Sequence, residues 1–266
     1  MSSFQKVIKY CAIAFAVALA AGIISGIVGV AAFIGGFFEN DGVSEDVRDV
    51  AVSGEVSSIV IVAGAADLRI EQGETFSVRS NLKNLTVENE SGTLRVIENH
   101  RFGVRYTDPV LTVYIPEGTR FARADITTGA GRFTAASLSC DDLRLSLGAG
   151  EVVIDELNAY ANAEIEGGAG ALRIYGGTLS DPSIDMGVGE LELATELHGH
   201  GEISQGIGRA SVTLLGDRED YRVEFENGIG NATIDGKNAE GGKSYGSGAN
   251  LLEISGGIGK IEVEFK

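Results

Sequence analysis

The chain has 266 residues, with 38 glycines, 3 prolines and no tryptophan, so it is glycine-rich without the composition of collagen. Its formal charge of −17 excludes nucleic acid binding and electrostatic docking on anionic lipid, because both need basic patches. Two cysteines, Cys11 and Cys140, placed at opposite ends of the expected topology, cannot build a disulfide scaffold.

Residues 1–9 read as a short cytoplasmic tail carrying Lys6 and Lys9. From Tyr10 to Phe38 no residue is charged, and the run exceeds the roughly 20 residues that span a bilayer as a helix. Residues 10–38 are therefore expected to be one transmembrane helix. A cleaved leader ending near Ala16-Val17-Ala18 is the competing reading, and the apolar run continues well beyond it. Glu39, Asp41, Glu45, Asp46 and Asp49 crowd the far end of the run. With the lysines kept inside, everything after residue 40 is expected outside the cell membrane, with 39–54 as an acidic linker. Ala14, Ala18, Gly22 and Gly26 fall four residues apart on one helix face, which would let two copies pair in the membrane as a homodimer.

From residue 55 onward short apolar-alternating runs flank glycines, as half-buried strands would. Gly64 stands between Ile59/Ile61 and Leu68/Ile70, with Ala66 in place of a second glycine. Gly92 stands in a similar frame between Leu85/Val87 and Leu94/Val96. After the alternating strand in DPVLTVYIPEG, the Gly-x-Gly triplet becomes regular, recurring at first roughly every 19–20 residues. The pairs are Gly129/Gly131, Gly148/Gly150, Gly168/Gly170, Gly187/Gly189, Gly206/Gly208, Gly228/Gly230 and Gly257/Gly259. Three residues before each triplet stands an apolar side chain: Ile126, Leu145, Ile165, Ile184, Ile203, Phe225 and Ile254. In SLGAGEVVID the inward phase would run Leu145, Leu147, Ala149, yet Val152 and Ile154 are the next apolar residues. A strand keeps one buried face across that one-residue slip only by bulging or turning, which the positive φ open to glycine makes cheap, so the glycines are expected to be structural corners. Strands that cannot bury a face alone must stack. Residues 55–266 are therefore expected to form an all-β ectodomain, a parallel β-solenoid-like stack with Gly-x-Gly corners.

Chemistry-bearing patterns are few. No triplet has a third glycine at dinucleotide-binding spacing or opens a helix, and no Gly-x-x-x-x-Gly-Lys-Ser/Thr run occurs, so no nucleotide or other cofactor is expected. GGAGAL and GGIGKI put Leu172 and Ile261 where a calcium β-roll needs aspartate. His198, His200 and Glu202 alternate as metal ligands on a strand could, but Gly199 and Gly201 mark a turn, and the segment reads as a solvated loop with no metal. Acidic pairs such as Glu164/Glu166 and Glu224/Glu226 repeat with the coils and read as an outer face rather than as acid–base catalysts. With three histidines and no Ser/His/Asp arrangement, the chain does not read as an enzyme. The exception to its acidity is a basic and aromatic stretch: Arg95, His100, Arg101, Phe102, Arg105, Tyr106, Arg120, Phe121, Arg123 and Arg132. Arg101, Phe102, Arg105, Tyr106, Arg120, Phe121 and Arg123 are the candidates for holding an envelope protein or an anionic wall polymer; pairing of the arginines with the stack's own carboxylates is the alternative.

The series LTVYIPEG, ADITTGAGRF, LRLSLGAGEVVI and LEISGGIGKIEVEF resembles the bacterial "putative adhesin" domains of unknown function and, more loosely, the toastrack-like domains of cell-envelope stress proteins, over about residues 50–266. The resemblance implies a β-solenoid-like ectodomain that scaffolds, senses envelope stress or adheres to glycan or protein. The motifs it shares are corners and core, so it specifies architecture more than ligand.

Overall fold

The computed structural model describes residues 42–99 and 107–266. The anchor expected over 10–38 and the residues before it lie outside that range, and among the described residues no helix is long and apolar enough to cross a membrane. The strands in chain order are β1 (Val43–Ala51), β2 (Ser58–Ala63), β3 (Asp67–Gly73), β4 (Ser77–Leu82), β5 (Leu85–Glu90), β6 (Thr93–Glu98), β7 (Val110–Pro116) and β8 (Phe121–Thr128). They continue with β9 (Arg132–Ile174), β10 (Thr178–Ser180), β11 (Pro182–His198), β12 (His200–Leu214), β13 (Tyr221–Ile234), β14 (Lys237–Asn238), β15 (Ser244–Gly246) and β16 (Asn250–Phe265). All sixteen join one sheet.

That sheet is a stack of coils in parallel register. Residue 121 pairs with 140, 163 with 182 and 183 with 202, so each turn of chain lands on its predecessor about 19 residues later. The core follows the alternation. Ile126, Leu145, Ile165, Ile184, Ile203, Phe225 and Ile254 before the corners are buried, as are Val152/Ile154, Leu172/Ile174, Leu191/Leu193 and Ile261/Val263 after them. One detail of parity differs from the sequence reading. The inward phase ends at Leu145: Leu147 is half-buried and Ala149 is exposed, so the slip is absorbed by turning the middle of the triplet outward.

At six of the seven triplets the chain does not break; β9, β11, β12, β13 and β16 run straight through them with glycine paired on glycine, as Gly170 on Gly189 and Gly189 on Gly208. Gly170 shows why no other residue serves. Its φ is +149°, and a Cβ there would lie 2.9 Å from both the nitrogen and the carbonyl carbon of Gly150 in the coil below.

The first triplet corrects the corner expectation. Gly129 and Gly131 were expected as a corner like the others, bent by positive φ, but β8 ends at Thr128 and β9 starts at Arg132, so both glycines lie in a gap between strands. Neither adopts positive φ, and nor do Gly148 and Gly150 of the second triplet. Gly131 is instead a close-approach position: a Cβ there would run into the carbonyl oxygen of Ala66, with the Ala66 carbonyl carbon only 3.0 Å away. The ladder fails here because this coil rests on the degenerate Gly64-Ala65-Ala66 corner, where only the Gly129 and Ala130 N–H groups find partners, the carbonyls of Ala63 (2.7 Å) and Gly64 (2.9 Å). That older corner is closed by a side chain: the buried Glu98 carboxylate accepts hydrogen bonds from the N–H groups of Gly64 (2.6 Å) and Ala65 (3.2 Å).

Coil order departs from chain order at both ends. Near the N-terminus β2 lies between β6 and β8, and β3 between β7 and β9, so the coil containing Gly64 sits beneath one built from later residues. Gly92, expected as a corner of the stack, is instead the tip of an antiparallel β5–β6 hairpin, where Ser91 and Gly92 both have positive φ as such a turn demands. The acidic stretch expected as a linker contains a strand: β1 pairs antiparallel with β4, and β4 with β7, so the sheet begins at Val43 and not at 55. These antiparallel strands close the end of the stack, which parallel coils alone would leave open. At the other end β16 runs parallel between β12 and β13. The chain skips one coil position after β12, lays down β13, and returns to fill the gap.

Candidate functional site

The expected basic and aromatic site does not assemble from its described members. Phe121 is core, 1% exposed. Arg120 is bound to Asp141 and stacks 4.1 Å over the Tyr160 ring; Arg123 faces Asp125 at 3.9 Å and Arg132 faces Glu151 at 3.0 Å. Arg101, Phe102, Arg105 and Tyr106 lie outside the described residues.

A second site emerges from register. Outward positions on successive coils form rows about 4.8 Å apart along the stack. One row reads Asp125, Arg144, Glu164, Ser183, Glu202, Glu253 and Glu224; the next contains Asp185, Ser204, Ser255 and Glu226. On the earlier coils arginines offset part of the charge: Arg144 meets Glu164 at 2.5 Å, and Arg173 is held by Glu151, Glu190 and Glu192. Burial lowers the Arg173 pKa, but the charges of Glu151 and Glu190 and their hydrogen bonds raise it further, so the guanidinium stays charged.

On the last three coils carboxylates gather in one row. Glu202, Glu253 and Glu224 stand side by side on β12, β16 and β13, where like charges on neighbouring strands repel. Arg222 reaches Glu224 at 3.5 Å. These carboxylates and Glu226 floor a groove of about 820 Å³, with Ser204 and Ser255 between them, their hydroxyls 3.1 Å apart. Its wall is Gly241–Ser244, tied to the edge of β13 by the Gly242 N–H donating to the Phe225 carbonyl at 2.8 Å. Lys243 in this wall is engaged elsewhere: the hydrogen bond it donates to Glu240, and then the Glu240 charge, raise the lysine pKa. Beside the groove the outer edge of β13 is covered by β15 at 222–224 and by β14 at 233–234, and among the described residues no strand pairs with it between them.

Of the His198–Glu202 segment, Glu202 lines the groove. Gly199 turns the chain at φ +80° between β11 and β12, as the sequence suggested. His200 and Glu202 are brought together not with His198 but with Glu253, which is 51 positions past Glu202 and its neighbour only because β16 is inserted there.

The sequence profile of the Toastrack DUF4097 family matches residues 52–255. The chain belongs to that family. The match runs from after β1 to within β16, stopping short of its triplet, and so covers most of this Toastrack stack. Among solved structures, a "putative adhesin" of Bacteroides fragilis NCTC 9343 is 16% identical, with 83% of this chain and 98% of that one covered and a TM-score of 0.48. One from Parabacteroides distasonis ATCC 8503 is 15% identical over 84% and 99% of the two chains, with a TM-score of 0.46. A "putative lipid binding protein" of the same organism is 14% identical over 82% and 96%, with a TM-score of 0.38. No curated protein matches the chain.

Cys140 of the Toastrack stack is a free cysteine. Cys140 is fully buried, and burial, then the charges of Asp141 and Asp142, push its thiol up to about 12, so the thiolate is scarce at neutral pH. In a Cys11→Ser chain, iodoacetamide at pH 8 is expected to leave Cys140 unmodified until denaturant is added; rapid labelling of the native chain would contradict this placement.

Proposed function

We propose that the chain is a membrane-anchored, extracytoplasmic interaction module, without enzymatic activity, whose C-terminal groove receives a basic segment of an envelope partner in scaffolding or stress sensing. The observation that carries this reading is the row of neighbouring carboxylates Glu202, Glu253 and Glu224 with Glu226 beside it, which Arg222 meets at Glu224. Arg144 and Arg173 offset glutamates on the earlier coils, whereas the excess of carboxylates here leaves a field for a cationic partner. The anchor rests on the charge-free run 10–38 and on the lysines before it and acids after it.

Two measurements test it. Protease added to intact cells should digest the region after residue 40 and leave a membrane stub; full protection would reverse the orientation. A fluorescent peptide of alternating lysine and threonine should bind the purified chain with an affinity that falls as salt rises, and Glu224→Gln with Glu226→Gln should weaken it on the order of tenfold. Binding that ignores both salt and these substitutions would overturn the groove assignment.

A second reading, adhesion to glycan, is favoured by another feature. Tyr160 and Tyr175 are 43% and 48% exposed, and Tyr160 lines a groove of about 370 Å³ with Arg120, Asn158, Gln72 and Ser139. Retention on polysaccharide that is lost with Tyr160→Ala, together with no peptide binding, would favour that reading.

A further inference from the structure

We infer that His200, Glu202 and Glu253 form a binding site for a divalent transition-metal ion of the zinc class, and that the ion staples the inserted strand β16 to β12. The His200 Nε2 atom lies 3.4 Å from Glu253 Oε2 and 3.9 Å from Glu202 Oε1, and one donor atom from each of the three residues falls within 4.8 Å of the others. Four-coordinate zinc has metal–donor bonds of about 2.0–2.2 Å, so donors on a tetrahedron are about 3.3–3.5 Å apart. Two of the three separations therefore close on an ion with small side-chain rotations, leaving its remaining position to water. One imidazole nitrogen with two carboxylate oxygens is a donor set that suits zinc better than calcium or magnesium, which take oxygen alone.

The backbone around the histidine is held from both sides. The His200 N–H donates to Asp181 Oδ1 at 2.8 Å, and the Gly199 N–H donates to Asn250 Oδ1 at 3.1 Å. Glu202 and Glu253 are directly paired on β12 and β16, so their repulsion is built into the register and is relieved by a shared cation. An ion there links two strands that are 51 residues apart in sequence and neighbours only in the finished stack. The site shares Glu202 and Glu253 with the groove, but its ligand is an ion and its test uses no partner, so it can fail or hold independently of the partner-binding reading.

The chain has three histidines, His100, His198 and His200, which makes the assignment decidable. Titration of the full chain in detergent with zinc chloride, followed by calorimetry, should show one imidazole-dependent site. His200→Ala and, separately, Glu253→Gln should weaken it tenfold or more, as loss of a direct ligand costs at least what loss of its hydrogen-bonded support does, roughly 10–100-fold. His198→Ala and His100→Ala should leave it within about twofold. Zinc should also slow amide exchange over residues 250–254 in the wild type and not in His200→Ala. All three side chains are about half exposed, so unchanged zinc-free melting curves are expected and serve as the folding control. No zinc uptake at millimolar concentration, uptake indifferent to His200→Ala, or uptake lost equally in His198→Ala would each overturn the site.

Discussion

A chain ended at Gly248, and so lacking β16, is expected to lose the fold of its last coils and to purify, if at all, with residues 200–234 unprotected from amide exchange. The removed strand buries Leu252, Ile254, Ile261 and Val263 almost completely. At roughly 1.5–3 kcal/mol for each such side chain, that is about 6–12 kcal/mol, comparable to the whole stability of an ordinary domain. The loss also falls in the wrong place for a simple end trim. β12 and β13 pair with β16 and not with each other, so β13 is left paired with only the short antiparallel pieces β14 and β15. The terminus knits the gap as well: the Lys266 N–H donates to Leu214 and the Gly216 N–H to Lys266, both at 2.9 Å. A stack whose coils followed chain order would lose one terminal unit and keep the rest. Native-like exchange protection over 221–234 in the truncated chain would therefore reject the inserted position of β16.

That insertion marks the boundary of what the chain disclosed in advance. Local rules governed each coil. A buried residue three positions before a triplet, a slip in parity and a second buried pair after it are set by pleat and packing within about ten residues, and Ile165, Gly168, Leu172 and Ile174 obey them. Coil order is a long-range matter, decided by which coils have complementary faces, and spacing says nothing about that. One signal was present. The segment Glu202-Ile203-Ser204-Gln205-Gly206-Ile207-Gly208 differs from Glu253-Ile254-Ser255-Gly256-Gly257-Ile258-Gly259 at one position, whereas β13 reads Glu224-Phe225-Glu226-Asn227 before its triplet. The near-identical pair are neighbours in the stack, and the odd one is the outermost coil.

The candidate site was hidden for the same reason. Glu202 and Glu224 each look like ordinary outer-face residues of a soluble repeat, and only the stacking of β16 between their strands aligns them with Glu253 and brings that carboxylate to His200. The Gly92 and Gly131 misreadings have different causes. Alternating strands about a glycine look alike whether the glycine turns a coil or a hairpin; Ser91-Gly92 with two positive φ values makes the hairpin. Gly131 has the triplet spacing but not the triplet's ladder, because what lies below it is Ala66 and not a second glycine, a neighbour that only the stacking order reveals.

Four alanine substitutions are expected to separate the two reasons why the corners are glycine. Gly176→Ala has neither problem: its Cβ would meet the Asp155 oxygen at an ordinary 3.5 Å and no unusual φ is needed, so its unfolding midpoint should match the wild type within about 0.5 kcal/mol. Gly236→Ala carries a backbone cost alone, since φ is +72° but nothing lies within 4 Å; about 1 kcal/mol is expected. Gly148→Ala carries overlap alone, with its Cβ 2.5 Å from the Gly129 carbonyl oxygen and 3.1 Å from its carbon. Those are backbone atoms in the coil below and cannot swing aside, so about 1–3 kcal/mol follows from forced separation of two coils. Gly170→Ala combines both, at φ +149° and on top of Gly150, and should be the least stable of the four, by about 3 kcal/mol or more. Because one coil pried from its neighbour weakens the pairing on either side, the two triplet variants should also lower cooperativity, which Gly236→Ala at a hairpin tip should not. Melting curves that leave Gly148→Ala and Gly170→Ala as stable as Gly176→Ala would mean the triplets are not held in contact from coil to coil, and a glycine kept without a packing reason is a glycine kept for something that approaches it from outside.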